Sequence, residues 1–141
     1  MREMQELAAE VRTGTGKGPA YQSRQKGLVP AIVYGGEAAG YVLTFEDGRV
    51  IYFAGDTNVF SDMELIAEIY KPELAFLPIG DFYTMSPREA AVACRLLGAK
   101  TVIPMHFGTF PTLIGRPNQL QDLAPRGVEI RELTPGKPID W

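Results

Sequence analysis

The sequence is poor in the side chains from which metal and disulfide sites are most often built. Its 141 residues contain one histidine, His106, and one cysteine, Cys94. A single cysteine excludes a disulfide within the chain, and because Cys94 lies in a predicted amphipathic helix we expect a buried, unreactive thiol. The single histidine excludes the His-x-His and His-Glu-x-x-His metal motifs. One copy of this chain therefore cannot supply a centre that needs several imidazoles.

Long apolar runs and a strong excess of one charge are also missing. No apolar stretch approaches the ~20 residues that span a bilayer, and the first six residues, MREMQE, show no apolar secretory region. The net charge of −3 gives no general attraction to nucleic acid or to anionic membranes. With 45% apolar and 22% charged residues, the composition is that of a soluble globular domain. These features predict a cytoplasmic protein without a membrane partner.

The first part of the sequence predicts strands around one clear hairpin. Residues 41–45 and 49–54 have the pattern of strands, and Glu46-Asp47-Gly48 between them is typical of a tight turn. Upstream, the sequence predicts a strand over 7–11, a helix over 19–26 and a strand over 30–34. We therefore expect a β-α-β segment followed by the hairpin.

Beyond the hairpin, predicted helices and strands alternate. Two capping boxes and two helix-ending residues mark the longer helices, namely Ser61 with Glu64, Ser86 with Glu89, Pro72 and Gly98. The remaining elements are strands over 74–79, 101–105 and 128–133 and a short helix over 118–123. The strand over 74–79 is apolar throughout, which is typical of a sheet covered on both faces. The pattern predicts an α/β fold.

Two side chains that can bind metal each follow an apolar strand. Asp56 follows the predicted strand over 49–54, and His106 follows the one over 101–105. Residues at neighbouring strand ends can meet at one edge of a sheet, and zinc accepts both imidazole nitrogen and carboxylate oxygen. Asp81, after another predicted strand, is the remaining candidate. The alternative is structural, since an aspartate in a turn often bonds its own backbone and a lone histidine is often only hydrogen-bonded.

Four stretches between about residues 34 and 141 resemble a known family. They are YGGEAAGY (34–41), YFAGDT (52–57), LPIGDFYTM (77–85) and IPMHFGTF (103–110). Together they are similar to the C-terminal half of metal-dependent hydrolases of the metallo-β-lactamase superfamily. The resemblance implies one half of a four-layer αββα sandwich, that is, a mixed sheet with helices on one face.

The same resemblance implies roles for five residues. Asp56 corresponds to the aspartate that bridges or completes the family's metal pair, and His106 to its last histidine ligand. Asp81, Tyr83 and Thr84 would line the mouth of the pocket. The family's His-x-His-x-Asp-His signature and a further histidine have no counterpart in this sequence. We therefore expect zinc or another divalent cation to be held weakly or not at all.

The N-terminal segment, residues 7–36, resembles a different family. Its stretches AEVR (9–12), GKG (16–18), RQKG (24–27) and VPAIVYG (29–35) are similar to the start of the bacterial ribosomal protein of the Ctc type, which binds 5S rRNA. The resemblance implies RNA-phosphate contacts for four cations, Arg12, Lys17, Arg24 and Lys26. The alternative is a solvated basic surface. Four cations give only weak, salt-sensitive binding, so nucleic acid is a disfavoured partner.

The two resemblances meet at Tyr34-Gly35-Gly36, which fits both families. This predicts a chimera, with residues 1–36 from a ribosomal protein and residues 37–141 from a hydrolase half-domain, packed as one folding unit. Half of a sandwich leaves an apolar sheet face uncovered. Exposing several hundred Å² costs on the order of 10 kcal/mol at ~25 cal/mol/Å², which rivals the stability of a domain. We therefore expect a homodimer or higher oligomer, with exchange of N-terminal strands as one form of it.

Three functions are compatible with these expectations. The first, favoured by the histidine count, is a catalytically inactive chimera with residual divalent-metal binding. The second is a metal-dependent hydrolase whose site is assembled between chains. The third is a weak RNA-binding module that uses the N-terminal basic loop, and the acidic net charge disfavours it.

Overall fold

The computed structural model describes residue 25, residues 31–34 and residues 40–141. The chain divides into two units, Met1–Pro30 and Ala31–Trp141, and the fold below is that of the second. The predicted strand over 7–11 and the predicted helix over 19–26 lie outside the described residues, except for helical Gln25. The four predicted RNA-contacting cations also lie outside them: Arg12, Lys17, Arg24 and Lys26. The domain boundary after residue 36 and the completion of the fold by an N-terminal segment stay predictions.

Six strands form one sheet in which the spatial order follows the chain order. They are β1 (Ala31–Tyr34), β2 (Gly40–Thr44), β3 (Val50–Phe53), β4 (Leu74–Pro78), β5 (Thr101–Met105) and β6 (Glu129–Ile130). The pairs β1–β2 and β2–β3 are antiparallel, and the pairs from β3 to β6 are parallel. The sheet is therefore mixed, and the carboxyl ends of β3, β4 and β5 lie at one edge.

The predicted hairpin is confirmed. Residues 41–44 of β2 pair antiparallel with residues 50–53 of β3. Across the turn, the backbone N–H of Phe45 donates to the carbonyl oxygen of Arg49 at 2.9 Å. Gly48 takes a φ of +87°, which glycine adopts without a Cβ clash. The hairpin thereby fixes the register of β3, the first of the three strands that lead to the shared edge.

Three helices connect the parallel strands, and one of the two predicted capping boxes is present. They are α1 (Met63–Tyr70), α2 (Pro87–Leu97) and α3 (Pro117–Leu123). At the start of α2, the Ser86 hydroxyl accepts a hydrogen bond from the Glu89 N–H, and the Glu89 carboxylate accepts one from the Ser86 N–H. The box predicted for α1 is wrong, because Asp62 is the N-cap and the Ser61 hydroxyl bonds the Asp62 carboxylate instead. None of the described helices is long and apolar enough to cross a bilayer.

Among the described residues, the predicted element ends agree with the structure to within one residue except at the last strand. β4 ends one residue earlier than predicted, and α3 begins one residue earlier. The strand predicted over 128–133 is reduced to β6, which pairs only with Thr101 and Val102 at the start of β5. The apolar pattern in the sequence extends beyond β6, because the segment after β6 packs on the sheet without pairing with a strand. Leu133, for example, packs against the cluster of Ile51, Leu74 and Ile103.

The two faces of the sheet are covered differently. The larger core joins helix residues to sheet residues, including Met63, Ala90, Leu97, Leu120, Val42, Tyr52, Leu77 and Val102. Neighbouring residues in a strand point to opposite faces, and accordingly the smaller cluster of Ile51, Leu74 and Ile103 lies on the other face. Leu133 and Trp141 from the C-terminal tail pack against this cluster. The prediction of a mixed sheet with helices on one face is confirmed.

Candidate metal site

Three neighbouring strands leave the sheet through left-handed residues at the same edge. Gly55 follows β3 with a φ of +68°, Asp81 follows β4 with a φ of +68°, and His106 follows β5 with a φ of +53°. For a residue other than glycine this conformation costs about 1–2 kcal/mol. Surrounding contacts must therefore hold Asp81 and His106 in place, and such strain is concentrated at functional sites.

The turns at these strand ends bring Asp56 and His106 together. Carboxylate oxygen Oδ2 of Asp56 lies 3.5 Å from imidazole nitrogen Nε2 of His106. Because β4 separates β3 from β5 in the sheet, the two side chains meet across the carboxyl end of β4. The Asp56 side chain is 72% exposed and that of His106 is 28% exposed. The carboxylate is therefore accessible, and the imidazole is mostly enclosed.

The pair suits a divalent cation, but the described residues do not complete a ligand set. Two atoms 3.5 Å apart can both lie about 2.1 Å from one zinc ion at a bond angle of about 110°, close to tetrahedral. A catalytic zinc needs about three protein ligands. Within the part of the chain that the structure describes, no group of three His, Cys, Asp or Glu side chains could hold a metal ion. Asp56 and His106 are therefore placed to be two ligands of one cation, but they are not a complete ligand set.

Close backbone packing holds the position of His106. A Cβ atom on Gly80 would overlap the carbonyl oxygen of His106, so this approach requires glycine. The N–H of Ile79 donates to the carbonyl oxygen of Met105 at 3.0 Å, and the N–H of Gly115 donates to that of Gly80 at 3.3 Å. These contacts join the loops after β4 and β5. The sequence alone gives no signal for the role of Gly80, because that role depends on a neighbour that is distant in sequence.

Two buried polar atoms of these loops have no hydrogen-bond partner among the described residues. They are Nδ1 of His106 and Oγ1 of Thr84. Unpaired buried polar atoms are rare in folded proteins, and each needs a functional or solvent explanation. A metal-bound histidine typically donates its second ring N–H to an acceptor that fixes the ring orientation. No described residue supplies this acceptor for Nδ1 of His106, so a metal-binding Nε2 would need an acceptor from water or from outside the described residues.

The other predicted pocket residues lie in the loop after β4. Oδ1 of Asp81 accepts a hydrogen bond from the N–H of Phe82 at 2.8 Å, so this carboxylate stabilises its own loop. Tyr83 is 67% exposed, whereas Thr84 is 4% exposed. Tyr83 is therefore accessible to a ligand, and Thr84 supports the loop from inside.

Exposed apolar side chains are concentrated in the loops after β4 and β5. Phe82, Tyr83, Phe110 and Ile114 are each 63–69% exposed, and the rings of Phe82 and Tyr83 contact edge to face with centroids 4.6 Å apart. We name these four residues the apolar rim. Grouped exposed apolar side chains mark contacts with a ligand or a partner. Of the four, only Tyr83 was a site residue predicted from the sequence.

Comparison with known proteins places this geometry in a family. Residues 6–107 match the profile of the beta-lactamase superfamily domain. The chain is 69% identical over 112 residues to a UPF0173 metal-dependent hydrolase of Solibacter usitatus, covering 78% of this chain and 48% of the relative. A UPF0173 metal-dependent hydrolase of Koribacter versatilis is 53% identical over 106 residues, covering 75% and 45%. The chain spans about half the length of the curated relatives it matches.

Solved structures give the same result. Igni18, a metallo hydrolase from Ignicoccus hospitalis, is 39% identical with a TM-score of 0.61, covering 70% of this chain and 43% of that one. An isothiocyanate hydrolase from Delia radicum gut bacteria is 25% identical with a TM-score of 0.58, covering 72% and 44%.

The comparisons do not support the ribosomal interpretation of the N-terminal segment. The profile match begins at residue 6, so it includes residues 7–36 together with Asp56 and His106. A junction between two genes at residues 34–36 would interrupt a match to one family, and here the match continues across those residues. The predicted chimera is therefore unsupported.

Proposed function

Because this chain belongs to the β-lactamase superfamily, we propose that it is part of a metal-dependent hydrolase in which Asp56 and His106 are two of the metal ligands. The observation that carries this proposal is the 3.5 Å approach of the Asp56 carboxylate to the His106 imidazole at the carboxyl edge of the sheet. The described residues offer no third ligand in a cluster, so the remaining ligands come from outside them.

The residues of this chain have separate tasks in the proposed site. A divalent cation held there would supply hydroxide near neutral pH by lowering the pKa of its bound water. His106 binds through Nε2, and the close packing of its backbone against Gly80 fixes the point from which the side chain extends. Asp56 binds through Oδ2. Because the side chain is exposed, a cation can reach this oxygen without a change in conformation. The apolar rim excludes water beside the reacting group and contacts the apolar part of a substrate.

The inactive interpretation depends on the ligand count alone. Relatives named metal-dependent hydrolases, one of them 69% identical, favour an active site to which this chain contributes. The RNA-binding alternative has no described residue in its favour, since its four cations lie outside the described part of the chain. We therefore favour the hydrolase over both.

Metal content tests the proposed ligands. The full chain is equilibrated with zinc, desalted and analysed for bound metal beside His106→Ala and Asp56→Asn. Asp62→Asn is the matched control, since Asp62 is another exposed aspartate in the same connection. We expect the wild type and the control to retain zinc and the two site variants to lose most of it. Equal zinc in all four proteins would overturn the proposal.

Turnover separates an active from an inactive metal protein. The probes are a phosphodiester, a carboxylic ester and an aryl isothiocyanate, the last because one structural relative is an isothiocyanate hydrolase. Each is assayed with zinc and with manganese. We expect turnover of at least one probe that is abolished in His106→Ala and kept in Asp62→Asn. Bound zinc without turnover of any probe would support the inactive interpretation instead.

A further inference from the structure

The loop after β4 contains two successive residues, neither of them glycine, with left-handed backbone. Asp81 has a φ of +68° and Phe82 a φ of +57°. This conformation is unfavourable for any residue with a Cβ atom, and it is rare for a side chain as bulky as that of Phe82. Among the described residues, three of the four non-glycine residues with a positive φ lie at this edge of the sheet; His106 is the third, and Lys71 at the end of α1 is the exception. Such strain is concentrated at functional sites.

Short hydrogen bonds and buried neighbours hold the strained backbone. The N–H of Phe82 donates to Oδ1 of Asp81 at 2.8 Å, and the N–H of Tyr83 donates to the carbonyl oxygen of Asp81 at 2.7 Å. The N–H of Asp81 donates in turn to the carbonyl oxygen of Met85 at 3.0 Å. Thr84 and Met85 are 4% and 0% exposed. The loop is therefore anchored without burying either of its aromatic side chains.

The rings of Phe82 and Tyr83 form an open corner. Their planes meet at 83°, and the two side chains are 69% and 67% exposed. We name these two rings the aromatic corner. A flat ring in the corner can stack on the face of one ring while its edge meets the face of the other, and both arrangements are favoured between aromatic groups. A saturated group of the same size gains only from burial of its apolar surface.

The aromatic corner belongs to the edge of the sheet that carries the proposed metal ligands. Because β4 lies between β3 and β5, its loop leaves the sheet between the loops of Asp56 and His106. The Asp56 side chain is 72% exposed, so the proposed ligand and the corner are accessible to solvent at the same edge. A substrate that reaches a cation on the pair can therefore also reach the corner.

We propose that the aromatic corner binds an aryl group of the substrate, so that the bond to be hydrolysed lies next to an aromatic ring. This inference rests on the proposed function, because it names the substrate class of that site. The strained backbone holds both rings outside the core before a substrate arrives. Less ordering is then needed when the aryl group binds, which favours binding.

The size of the corner favours a small flat group over another polypeptide. Two aromatic side chains bury at most about 500 Å², whereas a stable protein interface buries about 800 Å² on each partner. Two perpendicular ring faces also select for shape, because they match a planar group better than a bulky aliphatic one. The corner is therefore suited to part of a substrate.

Binding of three phosphonates to the zinc-loaded full chain tests the substrate class. Phenylphosphonate, cyclohexylphosphonate and methylphosphonate share an anionic group that can bind the cation, and they differ in the group attached to it. Calorimetry measures each affinity. We expect phenylphosphonate to bind about 10-fold more tightly than methylphosphonate, because its ring is removed from water. It should bind about 2- to 10-fold more tightly than cyclohexylphosphonate, because an aromatic pair contributes more than its buried area.

Replacing each ring by an aliphatic side chain tests the corner itself. Phe82→Leu and Tyr83→Leu keep an apolar residue and remove one ring face each. In both variants we expect the preference for phenylphosphonate over cyclohexylphosphonate to disappear. Leu123→Ala is the matched control, because Leu123 is a 49% exposed apolar residue on α3, in the helix layer. The control should keep the wild-type preference.

Two substitutions at position 82 measure the strain without metal or ligand. Phe82→Ala and Phe82→Gly both remove the ring, but only glycine also removes the Cβ atom. We expect the ratio of folded to unfolded protein to be about two- to fivefold higher for Phe82→Gly, because relief of the left-handed backbone outweighs the greater freedom of glycine in the unfolded chain. Lys71→Gly and Lys71→Ala are the matched pair, with a φ of +51°, and should differ by a similar factor. Equal urea midpoints for the two Phe82 variants would overturn the strained, preorganised corner.

The binding results separate this inference from the proposed function. A wild type without bound zinc would overturn both. Bound zinc with equal or undetectable affinity for the three phosphonates would keep the proposed ligands and overturn the inference. Equal binding of the phenyl and cyclohexyl compounds, tighter than that of the methyl compound, would overturn the aryl class. A phenyl preference that Phe82→Leu and Tyr83→Leu both retain would place the aryl site elsewhere and overturn the role of the corner.

Discussion

Gly80 and His106 are packed so closely that a side chain at position 80 would overlap the carbonyl oxygen of the histidine. His106 has a left-handed backbone at this point, with a φ of +53°. The proposed metal ligand is therefore positioned by a residue that binds no metal itself. The backbone position of this ligand depends on the fit between two loops that follow neighbouring strands.

Replacing Gly80 by alanine should weaken metal binding through this contact. We expect Gly80→Ala to lower the free energy of unfolding by about 1–3 kcal/mol, as overpacking usually does, and to reduce zinc affinity several-fold. Gly48→Ala is the control, because the added Cβ would meet no atom within 4 Å and only the positive φ of Gly48 opposes the change. The control should lose about 1 kcal/mol and keep its zinc affinity. Urea unfolding and competition with a coloured zinc chelator measure both, and unchanged affinity in Gly80→Ala would contradict the positioning role.

The capping box of α2 should make stability depend on pH. Hydrogen bonds from the backbone N–H and the hydroxyl of Ser86 lower the pKa of the Glu89 carboxyl. Since the folded pKa lies below the unfolded one, this stabilisation is present above the unfolded pKa of about 4.3 and is lost as the pH falls through the folded pKa. Glu89→Gln should therefore destabilise the protein more at pH 7 than at pH 3.

Glu64→Gln is the matched control for this prediction. Glu64 lies in the first turn of α1, one position nearer the N-cap than Glu89 does in α2, and the N-cap of α1 makes no side-chain hydrogen bond. Urea unfolding at both pH values should show a cost for Glu89→Gln that shrinks in acid and little cost for Glu64→Gln. Ser86→Ala should cost about 1 kcal/mol at pH 7, as loss of an N-cap usually does. An equal cost for Glu89→Gln at both pH values would be evidence against the coupling.

The contrast between the two helix starts shows what local sequence can predict. The box of Ser86 and Glu89 was predictable because all its partners lie within four residues and Pro87 fixes the first turn. The same spacing at Ser61 failed because its hydroxyl bonds the neighbouring Asp62 carboxylate. The Ser-x-x-Glu spacing rule does not take into account that a neighbouring carboxylate can bond the serine hydroxyl.

The candidate site was predictable only in part, for a similar reason. Strand patterns ending at Asp56 and His106 indicated a shared edge, because parallel strands align their carboxyl ends. The 3.5 Å approach itself depends on left-handed backbone at Gly55 and His106 and on packing against Gly80. These are contacts between distant segments, and a single sequence does not show them.

Cys94 should react slowly in the folded protein. The residue is buried, as predicted from its place in the amphipathic helix, and burial raises the pKa of its thiol to about 11. The thiolate is the reactive form, so at pH 8 the shifted pKa alone should slow reaction about 100-fold. A coloured disulfide reagent measures the rate in buffer and in urea, where the thiol is exposed. Equally fast reaction in both would show that α2 opens readily or that the thiol is accessible.

Arg49 and Trp141 should hold the C-terminal tail on the sheet. The Arg49 guanidinium lies 4.8 Å from the centre of the Trp141 ring and donates to the Trp141 carbonyl oxygen at 2.9 Å. A partly desolvated contact of this kind contributes about 1–2 kcal/mol, so Trp141→Ala should lower the free energy of unfolding by that amount. Ile139→Ala, an exposed apolar change two residues earlier, is the control and should cost less than about 0.5 kcal/mol. Equal unfolding midpoints in urea for the two variants would show that this contact of the tail contributes little to stability.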